Sequence, residues 1–166
     1  SWLLTDEPFE LAARHLDDEE ILARVQRWMV EDRANQFTRV LHNGRSTLPE
    51  ISDALRRYHL VVDDGAALPK HTIAGLRVAL IRRLLTEQLD FIMVAKEFIG
   101  THAFSRILER VVMPVDSYGK LGGKAAGLIL AHRILRKDCP DTDESHRIRV
   151  PKTWFVASSA MRQFIA

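Results

Sequence analysis

The residues with the most capacity for chemistry lie in "SYGKLGGKAAGLILAHRIL", residues 117–135. There Gly119, Gly122 and Gly123, with Lys120 and Lys124, stand directly in front of an apolar helical pattern. Successive glycines let the main chain take positive φ angles and approach a ligand closely, while the first turn of the following helix leaves N–H groups without partners. Those donors and the helix dipole favour an anion, and Lys124 at the junction adds a mobile ammonium that can follow charge on a phosphate. Gly122, Gly123 and Lys124 are therefore the candidate binding residues. A P-loop would need Gly at 118 and Ser or Thr at 125, where this chain has Tyr118 and Ala125, and the dinucleotide fingerprint is absent as well. A tight turn, with Gly127 permitting close packing and Lys124 solvated, satisfies the same pattern. The chemistry of the stretch leaves both readings open.

Other constellations point to bland roles. Asp138, Asp141, Asp143 and Glu144, near Cys139 and His146, lack a recognised ligand spacing or an EF-hand glycine and read as a solvated loop. Arg56-Arg57 and Arg82-Arg83, with Arg77 and Arg106, could offer phosphate backbones a basic face only if their helices align; without aromatic interleaving they read as solvated or ion-paired. Phe91, Met93, Phe98 and Phe104 read as core or a helix–helix interface. His132, on the helix behind the glycines, reads as an ordinary packed or solvated residue, and His71 and His102 receive no role. No Ser-His-Asp or Cys-His arrangement is recognisable, so no catalytic residue is assigned.

The elements that must position the glycine stretch follow from periodicity. A weak helical segment covers residues 6–16; Ile21, Leu22, Val25, Trp28 and Met29 then form a helical stripe, started by Asp17 to Glu20 and stopped at Gly44. Thr47 and Glu50 make a capping box for a third helix, with Pro49 in its first turn and Ile51, Leu55 and Tyr58 on one face. A short strand fits residues 60–62, and Asp63, Asp64, Gly65 and Pro69 break the pattern. From His71 to Ile99 the stripe of Ile73, Leu76, Leu80, Leu84, Phe91, Ile92, Ala95 and Phe98 predicts one long core helix, ended by Gly100. Thr101 is the expected cap of the next helix, which runs to the Met113-Pro114 stop. Residues 1–113 thus read as wholly or mainly α-helical. Beyond them come the glycine loop, a helix to about Lys137, an acidic loop, a strand within "IRVPKTWFVAS" and the start of a last helix.

Composition bounds the class. A chain of 166 residues with 46% hydrophobic content can bury a substantial core. Twenty-four basic against 22 acidic side chains, net +2, give little global steering toward nucleic acid, which is not an expected partner. The single cysteine, Cys139, excludes an internal disulfide and fits a reducing, cytoplasmic setting. No leader pattern and no apolar run of membrane-spanning length is present, so no membrane partner is expected. The last helix lacks a C-terminal cap, from which we expect the chain to be cut from something longer.

"GKLGGKAAGLILAHRIL", a gap, and "VPKTWFVASSAMRQFI" together resemble the opening of the ATP-binding domain of pyruvate, phosphate dikinase and phosphoenolpyruvate synthase, over roughly residues 115–166. In that family a G-G-K-(G/A)-A-x-L helix is followed by V-P-x-x-F and a short strand and helix. The resemblance implies an ATP-grasp-type nucleotide domain in which Lys124 contacts ATP phosphates while Gly122 and Gly123 shape the approach; ATP and Mg²⁺ are the implied cofactors of the complete protein. Lys152-Thr153 stands where the family has Pro-Gly, Ala157-Ser158-Ser159 replaces a threonine-rich turn, and "RKDCPDTDESHRIR" lengthens the connection. The expected fold is mainly α: a helical domain over 1–113, then the first β/α elements of an ATP-grasp-type α+β domain over 114–166. The expected function is an N-terminal fragment of an ATP-dependent phosphotransferase, not catalytic alone, whose partners are a nucleotide and the rest of its parent chain. The alternative is a helical regulatory or oligomerisation module that binds no nucleotide and self-associates.

Overall fold

The structure is a computed structural model that describes residues 7–62, 68–138 and 151–165. It is mainly helical. The elements are α1 (Glu7–His15), α2 (Asp18–His42), α3 (Leu48–Val61), α4 (Lys70–Leu84), α5 (Leu89–Phe98), α6 (Thr101–Leu108), β1 (Val111–Val112), α7 (Gly123–Asp138), β2 (Phe155–Val156) and α8 (Ser158–Ile165). The acidic cluster from Cys139 to His146 lies outside the described residues, as does Asp63-Asp64-Gly65.

Local chemistry accounts for the helix starts. The Asp17 carboxylate accepts from the Glu20 N–H at 2.8 Å, and three acids follow in the first turn of α2. The capping box of α3 is reciprocal: Glu50 N–H donates to Thr47 Oγ1 at 3.3 Å, and Thr47 N–H donates to Glu50 Oε2 at 2.8 Å. Its apolar face, Leu48, Ile51, Leu55 and Tyr58, is buried against the second half of α2, where the Phe37 ring packs at a tilt against Tyr58 with 5.3 Å between centroids. Each such buried Leu or Ile contributes about 1.5–3 kcal/mol over an exposed one, before conformational entropy is set against it.

Several expectations are corrected. The first half of α2 carries its stripe on the surface, with Leu22, Trp28 and Met29 each more than half exposed. Residues 60–62 are not a strand; α3 runs to Val61, and Val62 caps it by donating to the Tyr58 carbonyl. Thr101 is the first residue of α6 rather than its cap, which is Gly100. That helix stops at Leu108, and Val111–Val112 form a strand where continued helix was expected. Of the aromatic and methionine stripe, Phe104 is buried and Phe91 and Phe98 partly so, but Met93 is exposed.

The largest departure is the break in the 71–99 segment. The chain makes two helices, and Leu85 closes α4 with its N–H on the Ile81 carbonyl. In an unbroken helix the Leu84 carbonyl would accept from residue 88. Instead it accepts from the N–H of Leu121, at 2.9 Å, and Gln88 N–H turns to Thr86 Oγ1 at 3.2 Å. The carbonyl that continued helix would need thus serves the loop in front of α7. Leu80, Ile81, Leu84 and Leu85 are all buried, so both the old stripe and the turn residues sit in the core.

β1 and β2 are parallel, with Val111 opposite Phe155 and Val112 opposite Val156. Parallel neighbours need a crossover, and here it contains α7. One apolar cluster joins the helices to this unit: Leu121, Ala126, Ile129 and Ala157 are buried with Leu84, Ile99 and Phe104.

Candidate functional site

The glycine loop occupies the carboxyl end of β1 and leads into α7. Because the strands are parallel, the start of α8, which directly follows β2, lies at the same end. In open α/β arrangements ligands occupy this end of the strands, outside their carboxyl termini.

Three sets of contacts fix the loop. Ser117 is fully buried; its carbonyl accepts from Leu48 N–H at 2.7 Å, its N–H donates to Pro114 O at 3.1 Å, and its hydroxyl bonds that of Ser159. Arg83 holds the loop to the α2–α3 connection, donating to Tyr118 O at 3.2 Å and to Ser46 O at 2.6 Å. Lys120 pairs with Glu87 at 2.7 Å, and the Lys120 ammonium, by hydrogen bond and charge, holds that carboxyl below its ordinary range. Lys120 is thus engaged with Glu87, whereas Lys124 is exposed.

Gly119 and Gly122 do different things. A Cβ on Gly119 would lie 3.0 Å from Ser159 N and 3.1 Å from Ser158 N, so the missing side chain lets the loop lie against the first turn of α8. Gly122 has φ +85°, a left-handed conformation that glycine adopts without steric cost, and its carbonyl receives the Ala126 N–H at 3.1 Å. A Cβ on Gly123 or Gly127 would meet nothing within 4 Å, so close packing does not require glycine at 127. Gly122, Gly123 and Lys124 are all exposed, and no acceptor among the described residues is bonded to the N–H groups of Gly123, Lys124 or Ala125. The entrance of α7 is therefore open to solvent, with free donors and an ammonium beside it. That donor set fits phosphate oxygens. For a metal the fit is poor, since among the described residues no group of three or more His, Cys, Asp or Glu could hold one.

Of the arginine candidates, Arg56 pairs with Asp53 at 2.6 Å, Arg77 reaches the Lys96 carbonyl at 3.4 Å, and Arg83 is spent on the loop, so these three form no shared basic face; Arg106 lines a cavity together with His132. His102 stacks on His59 with centroids 4.0 Å apart, and His71 is exposed. Among the described residues no helix is long and apolar enough to cross a membrane. The sequence reading missed the buried Ser117 and the Arg83 clamp, because a lone serine and an arginine pair carry no spacing signal. No protein-family model, curated protein or solved structure matches the chain.

Proposed function

We propose that the Gly122–Lys124 turn receives the phosphates of ATP in a phosphotransferase of the pyruvate, phosphate dikinase and phosphoenolpyruvate synthase type, and that residues 114–166 open its ATP-grasp-type domain. One arrangement supports the reading: left-handed Gly122 feeds α7 at the carboxyl end of a parallel strand pair, with unbonded amides and Lys124 facing solvent. The order glycine turn, helix, strand, helix is also the order of the family motifs quoted above. In this reading Lys124 works electrostatically, holding phosphate oxygens as charge moves among them, and Mg²⁺ takes its protein ligands from elsewhere in a longer, cytoplasmic parent protein. The chain alone is not catalytic in this proposal. Calorimetric titration of Mg-ATP into the parent protein tests it. Lys124→Ala should weaken binding by about 1–3 kcal/mol, the scale of a charge-assisted hydrogen bond; an unchanged affinity removes Lys124 from the mechanism.

A second reading, a helical module that pairs with another copy of itself, is favoured by the exposed Leu22, Trp28 and Met29 on α2. The acidic start of that helix and Arg24 and Arg27 beyond it give an antiparallel copy opposite charges to meet.

A further inference from the structure

At the far end of α7 from the glycine loop lies a cavity of about 430 Å³. Six side chains that carry or can acquire positive charge line it: Arg106 from α6, Arg110 ahead of β1, His132, Arg133 and Arg136 from α7, and Lys152 on the approach to β2. No Asp or Glu among the described residues lines it. Among the described residues, the ion pairs of arginine and lysine lie elsewhere, at Arg14, Arg56, Lys96 and Lys120. Ile107, Ile129 and Phe155 supply its apolar wall.

Such a concentration of like charge opposes folding unless something compensates it. The strain is felt locally: burial, then Arg106 and Arg136, disfavours the charged form of Arg133, and burial with Arg133 and Arg136 does the same to His132. Guanidinium groups present rigid forks that match phosphate oxygens two at a time. The volume falls in the range of small-molecule sites, roughly 300–1,000 Å³. Positive charge here is gathered around one hollow rather than spread along a helix face, which suits a compact ligand better than a nucleic-acid backbone.

We propose that this cavity binds a small organic molecule carrying two or more phosphate groups, at a site separate from the glycine loop. Lys124 and Arg133 are nine residues apart on one helix, about 13 Å along its axis. The cavity faces the amino ends of the strands, so the two sites lie at opposite ends of the parallel pair. The apolar wall accommodates the ligand's uncharged body, and the arginines take its phosphates.

Inorganic pyrophosphate is the probe, read through the His132 ring signals by NMR and through calorimetry in phosphate-free buffer. Pyrophosphate should shift the His132 signals and raise the pH at which they titrate, in the unaltered chain and equally in Lys124→Ala. Arg106→Gln and Arg133→Gln should weaken binding by about tenfold or more, Arg133→Lys by less because charge survives without the fork. Lys152→Gln, at an exposed position, should weaken it measurably, while Arg57→Gln on α3 should leave it within about twofold. The proposal is overturned if pyrophosphate leaves His132 unmoved, if its effect disappears in Lys124→Ala but persists in Arg133→Gln, or if Arg57→Gln weakens binding as much as Arg133→Gln. Tighter binding of citrate than of pyrophosphate would overturn the phosphate assignment.

Discussion

His132 shows what a residue's surroundings do to its chemistry. Its imidazole is partly buried, and burial, reinforced by Arg133 and Arg136, holds its pKa below the ordinary 6.5. As pH falls through 6.5 the unfolded chain takes up a proton that the folded chain resists, so the unfolded state binds more protons and stability drops. His132→Gln should remove that part of the slope. Urea unfolding at about pH 7.5 and about pH 5.5, in phosphate-free buffer, should show the unaltered chain losing more stability than the variant. Equal losses would mean that the folded environment does not oppose the proton. Lys124 and Lys120 make the complementary point: both are near the glycines, yet Glu87 holds Lys120 and leaves Lys124 to face solvent. Nothing in the spacing of the two lysines distinguishes them, because Glu87 is 33 residues away in the chain.

At the scale of elements, the loop before α7 is held by pieces that arrive from α4, the α2–α3 connection and α8. Gly119 is the tightest of these contacts, with the backbone of Ser158 and Ser159 where a side chain would begin. Gly119→Ala should therefore destabilise the protein by about 1–3 kcal/mol, the usual cost of forcing atoms into filled space. Thermal unfolding followed by circular dichroism measures it, with Gly127→Ala as the comparison, since a Cβ there meets nothing within 4 Å. If Gly119→Ala is as well tolerated as Gly127→Ala, the loop does not rest on α8 as described. The starts of α2 and α3 were legible in the sequence because side-chain caps act over three residues, as at Asp17 and at Thr47 with Glu50. The break after Leu85 was not, because neither glycine nor proline marks it and its cause is the distant Leu121 N–H.

At the scale of the molecule, one apolar cluster runs from α2 through α6 into the β1–α7–β2 unit. Outside it, Leu22, Trp28 and Met29 form an exposed patch on α2. If this patch pairs with a second copy, light scattering should report a mass that rises with concentration, and Leu22→Glu with Met29→Glu should abolish the rise. A monomer at every concentration, or association unaffected by those changes, rejects self-pairing through α2. The helical stripes of α3 and α4 predicted their buried faces correctly, whereas the first half of α2 has the same periodicity and remains outside the core. Periodicity reports that a face is apolar, not that a neighbour exists to cover it.

By itself the sequence determined what acts over a few residues: a mainly helical chain, the capping box of α3, the glycine-rich entry to α7 and the strand after it. These depend on backbone sterics and on groups three or four positions apart, which any reading of the chain contains. Tertiary structure alone decided that the long helix divides, that Arg83 and the buried Ser117 anchor the loop, and that arginines from α6, α7 and the strand approach share one cavity. Those outcomes depend on which carbonyl or charge comes to lie beside which, and residues dozens of positions apart meet only once the core has closed.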